Sequence, residues 1–144
     1  MVKIILSGCN GRMGRAISDI CNKNPNTEIV AGLDINTESP FGYPVYDDIS
    51  KINEIADVII DFSHTSLLKP LLDYAVKKNI PAVICTTGHS EEQISEINST
   101  SEIVPIFRSG NMSLGINVLI MLVERAAKIL GDAFELQMVC LFAF

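Results

Sequence analysis

Three glycines near the N-terminus constrain this chain more than any other feature. The apolar run Val2-Lys3-Ile4-Ile5-Leu6-Ser7 leads into Gly8-Cys9-Asn10-Gly11-Arg12-Met13-Gly14, a G-x-x-G-x-x-G spacing. Apolar residues then recur at helical intervals, at Met13, Ala16, Ile17, Ile20 and Cys21. Strand, glycine-rich turn and helix, in that order, hold a phosphate on backbone N–H groups at a helix N-terminus. Gly8 permits the tight turn, Gly11 lets the backbone approach a pyrophosphate, and Gly14 lets the helix lie against the sheet. The spacing is a variant of G-x-G-x-x-G, so by itself it carries only part of the argument.

A second signal supports it. Residues 26–33 read as a strand, and Asp34 stands at its end, 20 positions after Gly14. That is where a dinucleotide-binding unit places an acid against the ribose 2′-OH. Either feature alone fits a turn glycine or a solvated loop acid. Their order and spacing together favour the dinucleotide site.

The rest of the chain alternates in the same way. Strands are expected at 56–62, 80–85 and 103–107, with helices starting near Ser63 or Thr65, at Ser90, and over 114–130. Gly131 stops the last helix, and residues 35–48 form a loop rich in turn formers. Five short buried strands alternating with helices imply an α/β fold: a doubly wound, Rossmann-like parallel sheet. Ligands of such sheets bind at the carboxyl ends of the strands. Five small or polar segments collect there, namely Gly8–Gly14, Asp34, Asp61-Phe62-Ser63, Cys85-Thr86-Thr87-Gly88 and Ser109-Gly110-Asn111.

Composition removes several alternatives. The 144 residues suffice for one domain with a core, and 48% hydrophobic against 19% charged residues marks a folding chain. A net charge of −6 and the absence of Trp argue against nucleic acid. The apolar stretch 112–130 contains Asn117, Glu124, Arg125 and Lys128, too polar to span a bilayer. Cys9, Cys21, Cys85 and Cys140 lack C-x-x-C spacing, and His64 and His89 are isolated, so no metal site is expected. With no secretory signal visible, the expected compartment is cytoplasmic.

Several segments, in order, carry a family likeness: Gly-Arg-Met-Gly at 11–14, Asp-Phe-Ser at 61–63, Thr-Thr-Gly at 86–88, Gly-Asn-Met-Ser-Leu-Gly-Ile-Asn at 110–117 and Ala-Ala-Lys-Ile-Leu-Gly-Asp at 126–132. The chain resembles the N-terminal part of the 4-hydroxy-tetrahydrodipicolinate reductases, enzymes of the diaminopimelate branch of lysine synthesis. The resemblance implies NADH or NADPH as cofactor. It assigns Gly8, Cys9, Asn10, Gly11, Arg12 and Met13 to the pyrophosphate turn, and Asp34 to the ribose. Phe62 joins the cofactor site, while Cys85, Thr86 and Thr87, with Ser109, Gly110, Asn111 and Met112, flank the nicotinamide end. Some members carry an arginine next to the acid for a 2′-phosphate. Here Ile35 and Asn36 follow Asp34, so NADH is favoured over NADPH. Arg12 offers only partial compensation.

The resemblance also implies hydride transfer from the cofactor to a small cyclic dicarboxylate. Family members continue with a His-His…Lys motif and a Ser-Gly-Thr segment that donate the proton and hold the substrate carboxylates. No His, Lys or Arg follows Lys128 in this sequence. The expectation is a dinucleotide-binding domain over 1–132 and a remnant strand over 133–144, with cofactor binding retained, no catalytic residue present, and little or no turnover alone. Alternative readings are a stand-alone NAD(P)-binding module or half of a split enzyme, and, less specifically, an α/β domain for another nucleotide. In the tail, Phe134, Leu136, Met138, Cys140, Phe142 and Phe144 alternate onto one strand face. The expectation there is self-association through 133–144, or folding back onto the nucleotide domain.

Overall fold

The computed structural model describes residues 1–109 and 114–131. The elements are β1 (Val2–Ser7), α1 (Arg12–Lys23), β2 (Thr27–Leu33), β3 (Val45–Tyr46), β4 (Val58–Asp61), α2 (Leu68–Lys78), β5 (Ala82–Ile84), α3 (Glu91–Ser101), β6 (Ile106–Arg108) and α4 (Leu114–Leu130). Single 3₁₀ turns lie at Ile49–Lys51 and Thr65–Leu67. The six strands form one sheet in the order β3-β2-β1-β4-β5-β6. Every pairing is parallel.

Alternation along β1 explains the two layers. Ile5 faces a core that includes Ala31, Leu33, Ile59 and Ile84 of the sheet, Leu68, Leu71 and Leu72 of α2, and Ile97 of α3. Ile4 and Leu6 face the other way, toward Ile29, Cys21 of α1 and Tyr43. The sheet is thus covered on both faces, as an all-parallel sheet requires. The chain winds outward from β1 to β2 and β3, then returns to place β4 on the opposite side of β1. This reversal creates a crevice at the carboxyl ends of β1 and β4, where an open sheet binds its ligand.

The expected α/β fold is the observed one, with differences at the element ends. The loop 35–48 contains a two-residue edge strand, because Gly32 donates its N–H to Pro44 O at 2.8 Å and Asp34 donates to Tyr46 O at 2.9 Å. The last strand starts at Ile106, not Ile103. Ile103 and Val104 still donate to Thr100 O, at 2.9 and 3.1 Å, and so close α3. The α2 segment is entered neither from Ser63 nor from Thr65: His64 accepts the Ser66 N–H at 3.2 Å and caps the 3₁₀ turn that precedes the helix. Ser90 caps α3 as expected, in a capping box with Gln93.

Residues 1–110 form one compact unit and residues 111–144 another. Of the second, α4 is described, with Ile116, Ile120, Val123 and Ala126 half-buried at helical spacing. The expected strand 133–144 lies outside the described residues.

Candidate functional site

The glycine turn joins the end of β1 to the start of α1. Gly8 takes φ +76°, a left-handed conformation that L side chains rarely adopt, and its N–H donates to Leu33 O at 2.8 Å. A Cβ on Gly8 would sit 2.5 Å from Phe62 O. One on Gly14 would sit 2.2 Å from Gly8 O and 2.5 Å from Cys9 O. The protein's own backbone fills both spaces. Gly11 differs, because its Cβ would approach only Gly8 O, at 3.2 Å. Gly11 is also the N-cap of α1, with no side-chain cap and no acidic residue in the first turn. The first N–H groups of α1 therefore face the crevice without a side-chain acceptor. Such an end attracts an anion, through the N–H groups and the helix dipole together. Arg12 and Met13, in that first turn, are exposed.

Asp34 follows β2 and reaches back to the same turn. Its Oδ2 accepts the Asn10 N–H at 2.9 Å, and its Oδ1 accepts the Asn36 N–H at 3.1 Å. The Asn10 side chain donates to Asn36 O at 2.6 Å and to Glu38 O at 2.9 Å. A cleft of about 250 Å³ is lined by Gly8, Gly11, Asp34 and Phe62, together with Leu33, Ile35, Ser63, His64 and Leu67. It brings together four of the residues expected from the sequence. A larger cavity, about 840 Å³, opens among Met1, Asn24, Thr27, Glu28 and Tyr43. It reaches the amino-terminal ends of β1 and β2, away from the glycine turn, and a site at the strands' carboxyl ends is favoured by the topology.

The next strand ends are tied together by Asp61, which is 2% exposed. Its Oδ2 accepts the Thr86 hydroxyl at 2.7 Å, and its Oδ1 accepts the Ser63 hydroxyl at 2.5 Å and the Ser63 N–H at 3.2 Å. Thr87 is exposed beyond the buried Thr86. Ser109, after β6, donates its N–H to Ile84 O at 3.2 Å and so lies beside the end of β5. Gly110, Asn111 and Met112 lie outside the described residues. Sequence reasoning quoted Asp61 without giving it a role. The signal was an acid at a strand end with serine two residues on, the pattern of an Asx turn.

Two expected site residues present little side chain to a ligand. Cys9 is 0% exposed, and a Cβ on Gly32 would fall 2.6 Å from its Sγ. Burial, with a smaller contribution from the nearby Asp34 carboxylate, pushes its thiol up to about 11. Burial and the Asp61 carboxylate push the Cys85 thiol up to about 11 as well. Both side chains are buried, so what these residues offer there is chiefly main chain. Among the described residues no group of three or more His, Cys, Asp or Glu is placed to hold a metal ion. Among them, too, no helix is long and apolar enough to cross a membrane.

The family model for the N-terminus of dihydrodipicolinate reductase matches residues 2–112. A 4-hydroxy-tetrahydrodipicolinate reductase of Caldanaerobacter subterraneus is 48% identical over 139 residues, which is 96% of this chain and 55% of that protein. That of Clostridium tetani is 44% identical over 140 residues, 96% of this chain and 54% of that one. The chain spans about half the length of the curated relatives it matches. Among solved structures, the dipicolinate-bound dihydrodipicolinate reductase of Paenisporosarcina sp. TG-14 superposes with a TM-score of 0.75 at 22% identity, covering 88% of this chain and 54% of that one. An oxidoreductase of Agrobacterium radiobacter in complex with NAD+, L-tartaric acid and magnesium gives 0.70 at 18% identity, covering 88% and 41%. At these identities the structural matches establish the fold, a Rossmann-like one, while the family rests on the sequence match. The glycine turn, Asp34 and the Asp61–Thr86 strand ends all fall inside the matched region, and the chain belongs to the dihydrodipicolinate reductase family through its N-terminal part.

Proposed function

We propose that residues 1–110 bind a nicotinamide dinucleotide, with NADH preferred over NADPH, and that this domain serves the reduction of 4-hydroxy-tetrahydrodipicolinate in the lysine pathway. The observation that carries this reading is the contrast among the three glycines. Gly8 and Gly14 are required by the protein's own packing, whereas a Cβ on Gly11 would meet a single protein atom, Gly8 O at 3.2 Å, a tight contact but not a clash. Of the three, this position is the least filled by the protein itself, and it stands at the open end of a helix, where a pyrophosphate would touch the backbone.

Asp34 fits the adjoining ribose. A carboxylate offers about four lone-pair positions, and two are taken by the Asn10 and Asn36 N–H groups. The remaining pair matches two vicinal hydroxyls. A 2′-phosphate would instead meet a carboxylate, and repulsion at that distance favours NADH. When bound, the cofactor supplies the hydride. The Thr86 hydroxyl is held by Asp61, which fixes the end of β5 where the nicotinamide half would lie.

His64 and His89 form no acid–base pair with another side chain among the described residues. His64 engages Ser66 through Nδ1, at 3.1 Å from its hydroxyl, in its capping role. Proton donation and capture of the substrate carboxylates are proposed to draw on groups outside residues 1–110, so that this domain alone turns over little or no substrate. The test is fluorescence titration with NADH. Wild type should bind, and Gly11→Val, which fills the space beside the pyrophosphate, should bind at least about tenfold more weakly. Equal affinity in the two would remove the glycine turn from the site.

A further inference from the structure

The contacts of Asn10 reach beyond the pyrophosphate turn that contains it. Its N–H is given to Asp34 Oδ2, and its side-chain amide is given to two carbonyls of the 34–38 loop, Asn36 O at 2.6 Å and Glu38 O at 2.9 Å. Its own carbonyl accepts from Arg15 Nε at 3.0 Å, which ties the turn to α1. The loop is closed internally as well, since Asn36 Oδ1 accepts the Glu38 N–H at 3.1 Å. Asp34 is thereby held at both carboxylate oxygens, with one donor in the turn and the other in a loop that the turn itself fastens.

We propose that Asn10 is a specificity-determining residue, one that positions Asp34 so that the nucleotide's 2′ position must be a hydroxyl. The inference rests on the reading that this domain binds a nicotinamide dinucleotide. An acid on a mobile loop discriminates weakly, because the loop withdraws when a phosphate enters. Here withdrawal would break the Asn10 N–H bond to the carboxylate and leave the Asn10 amide without its two carbonyls. Charge repulsion then acts at full strength, because the charge cannot move away. Arg15, the cation tied to this turn, has its Nε committed to the Asn10 carbonyl.

The test uses the full chain and two probes of the adenosine half, ADP-ribose and 2′-phospho-ADP-ribose, titrated by calorimetry. Wild type should bind ADP-ribose at least about tenfold more tightly. Asn10→Ala should shrink that ratio at least about threefold, and so should Asn10→Leu, which keeps about the size, loses both amide donors and adds no charge. In an Asp34→Ala background, Asn10→Ala should leave the ratio where Asp34→Ala put it, because Asn10 acts through Asp34. Parallel loss of both affinities in the Asn10 variants, with the ratio intact, would make Asn10 merely structural and overturn the proposal. Hydrogen exchange on wild type gives a check that needs no variant: the Asn10 amide, which donates to Asp34 across the turn, should be protected in the ligand-free protein, and fast exchange there contradicts the clamp. A wild type that binds both probes alike or prefers the 2′-phosphate overturns the NADH preference and this inference with it. Binding of neither probe overturns the dinucleotide reading itself.

Discussion

The Asp61 carboxylate receives the Thr86 hydroxyl at 2.7 Å and so bolts the end of β4 to the end of β5. Ladder bonds alone would leave these two strand ends held only through main chain, Cys85 N to Asp61 O at 2.9 Å. Asp61→Asn removes the charge and puts an amide NH₂ where one carboxylate oxygen accepts, so the Ser63 or Thr86 hydroxyl can meet it only by turning to accept and both charge-assisted bonds are weakened. The expected cost is about 1–3 kcal/mol, read as a lower urea midpoint at unchanged m-value. Thr86→Val should cost stability as well, by leaving Oδ2 without its donor. A midpoint unmoved by both changes would mean that solvent reaches the carboxylate and replaces the lost bonds.

The glycines of the turn should separate by substitution. Gly14→Ala forces a Cβ against two backbone carbonyl oxygens, and a shift of the helix is the only relief. A loss of about 1–3 kcal/mol is expected, the usual range for overpacking. Gly11→Ala meets one backbone oxygen at 3.2 Å, tight but short of a clash, so it should cost less stability than Gly14→Ala while cofactor affinity falls. Thermal melts of the two variants, set beside NADH titration, decide it; a reversed order would reverse the roles assigned to Gly11 and Gly14.

Alkaline pH should weaken the fold through its buried thiols. Cys9 and Cys85 both ionise near 11 in the folded chain, against an ordinary value of 9.0. The folded state thus holds these protons more tightly than the unfolded state. Their contribution is intact below about pH 9 and is lost as pH rises from 9 toward 11. The Tyr43 hydroxyl, also raised by burial, acts in the same direction above its ordinary 10.0. The melting temperature should fall over that window, and Cys9→Ser should make the fall shallower. Site-resolved alkylation at neutral pH should label Cys9 slowly; rapid labelling would place its thiolate in solvent.

Residues 133–144 carry a separate expectation, drawn from alternation alone. Removing them should raise the monomer fraction in light scattering and leave NADH binding intact. Unchanged association would make the segment a bystander, and loss of NADH binding would make it part of the nucleotide domain.

The order of strands and helices was legible because each buried strand is a short apolar run ending in a polar or glycine segment, as at Ile59-Ile60-Asp61 and Val83-Ile84-Cys85. The glycine turn and the acid after β2 were legible from spacing. Strand ends were less so, because Ile103 and Val104 look like strand residues and are held instead by Thr100 O at the close of α3. β3 was hidden because two residues carry no periodicity, and its pairing with Gly32 and Leu33 is set by long-range bonds. The links of Asp61 to Thr86 and of Asn10 to the 34–38 loop were also out of reach. Each joins residues 24 to 28 positions apart through side-chain geometry that no local pattern encodes.

Cys9 and Gly32 share a single volume. The sulfur occupies the place where a Cβ on Gly32 would stand, and the Tyr43 ring closes the far side at 2.9 Å. Neither position can drift freely: enlarging residue 32 requires residue 9 to shrink and the Tyr43 ring to give way, and residue 32, already glycine, has nothing to yield to a larger residue 9. Across natural variants of this domain, the sizes at these two positions should therefore be anticorrelated. The record of that exchange would be a pair of distant sequence columns that change together.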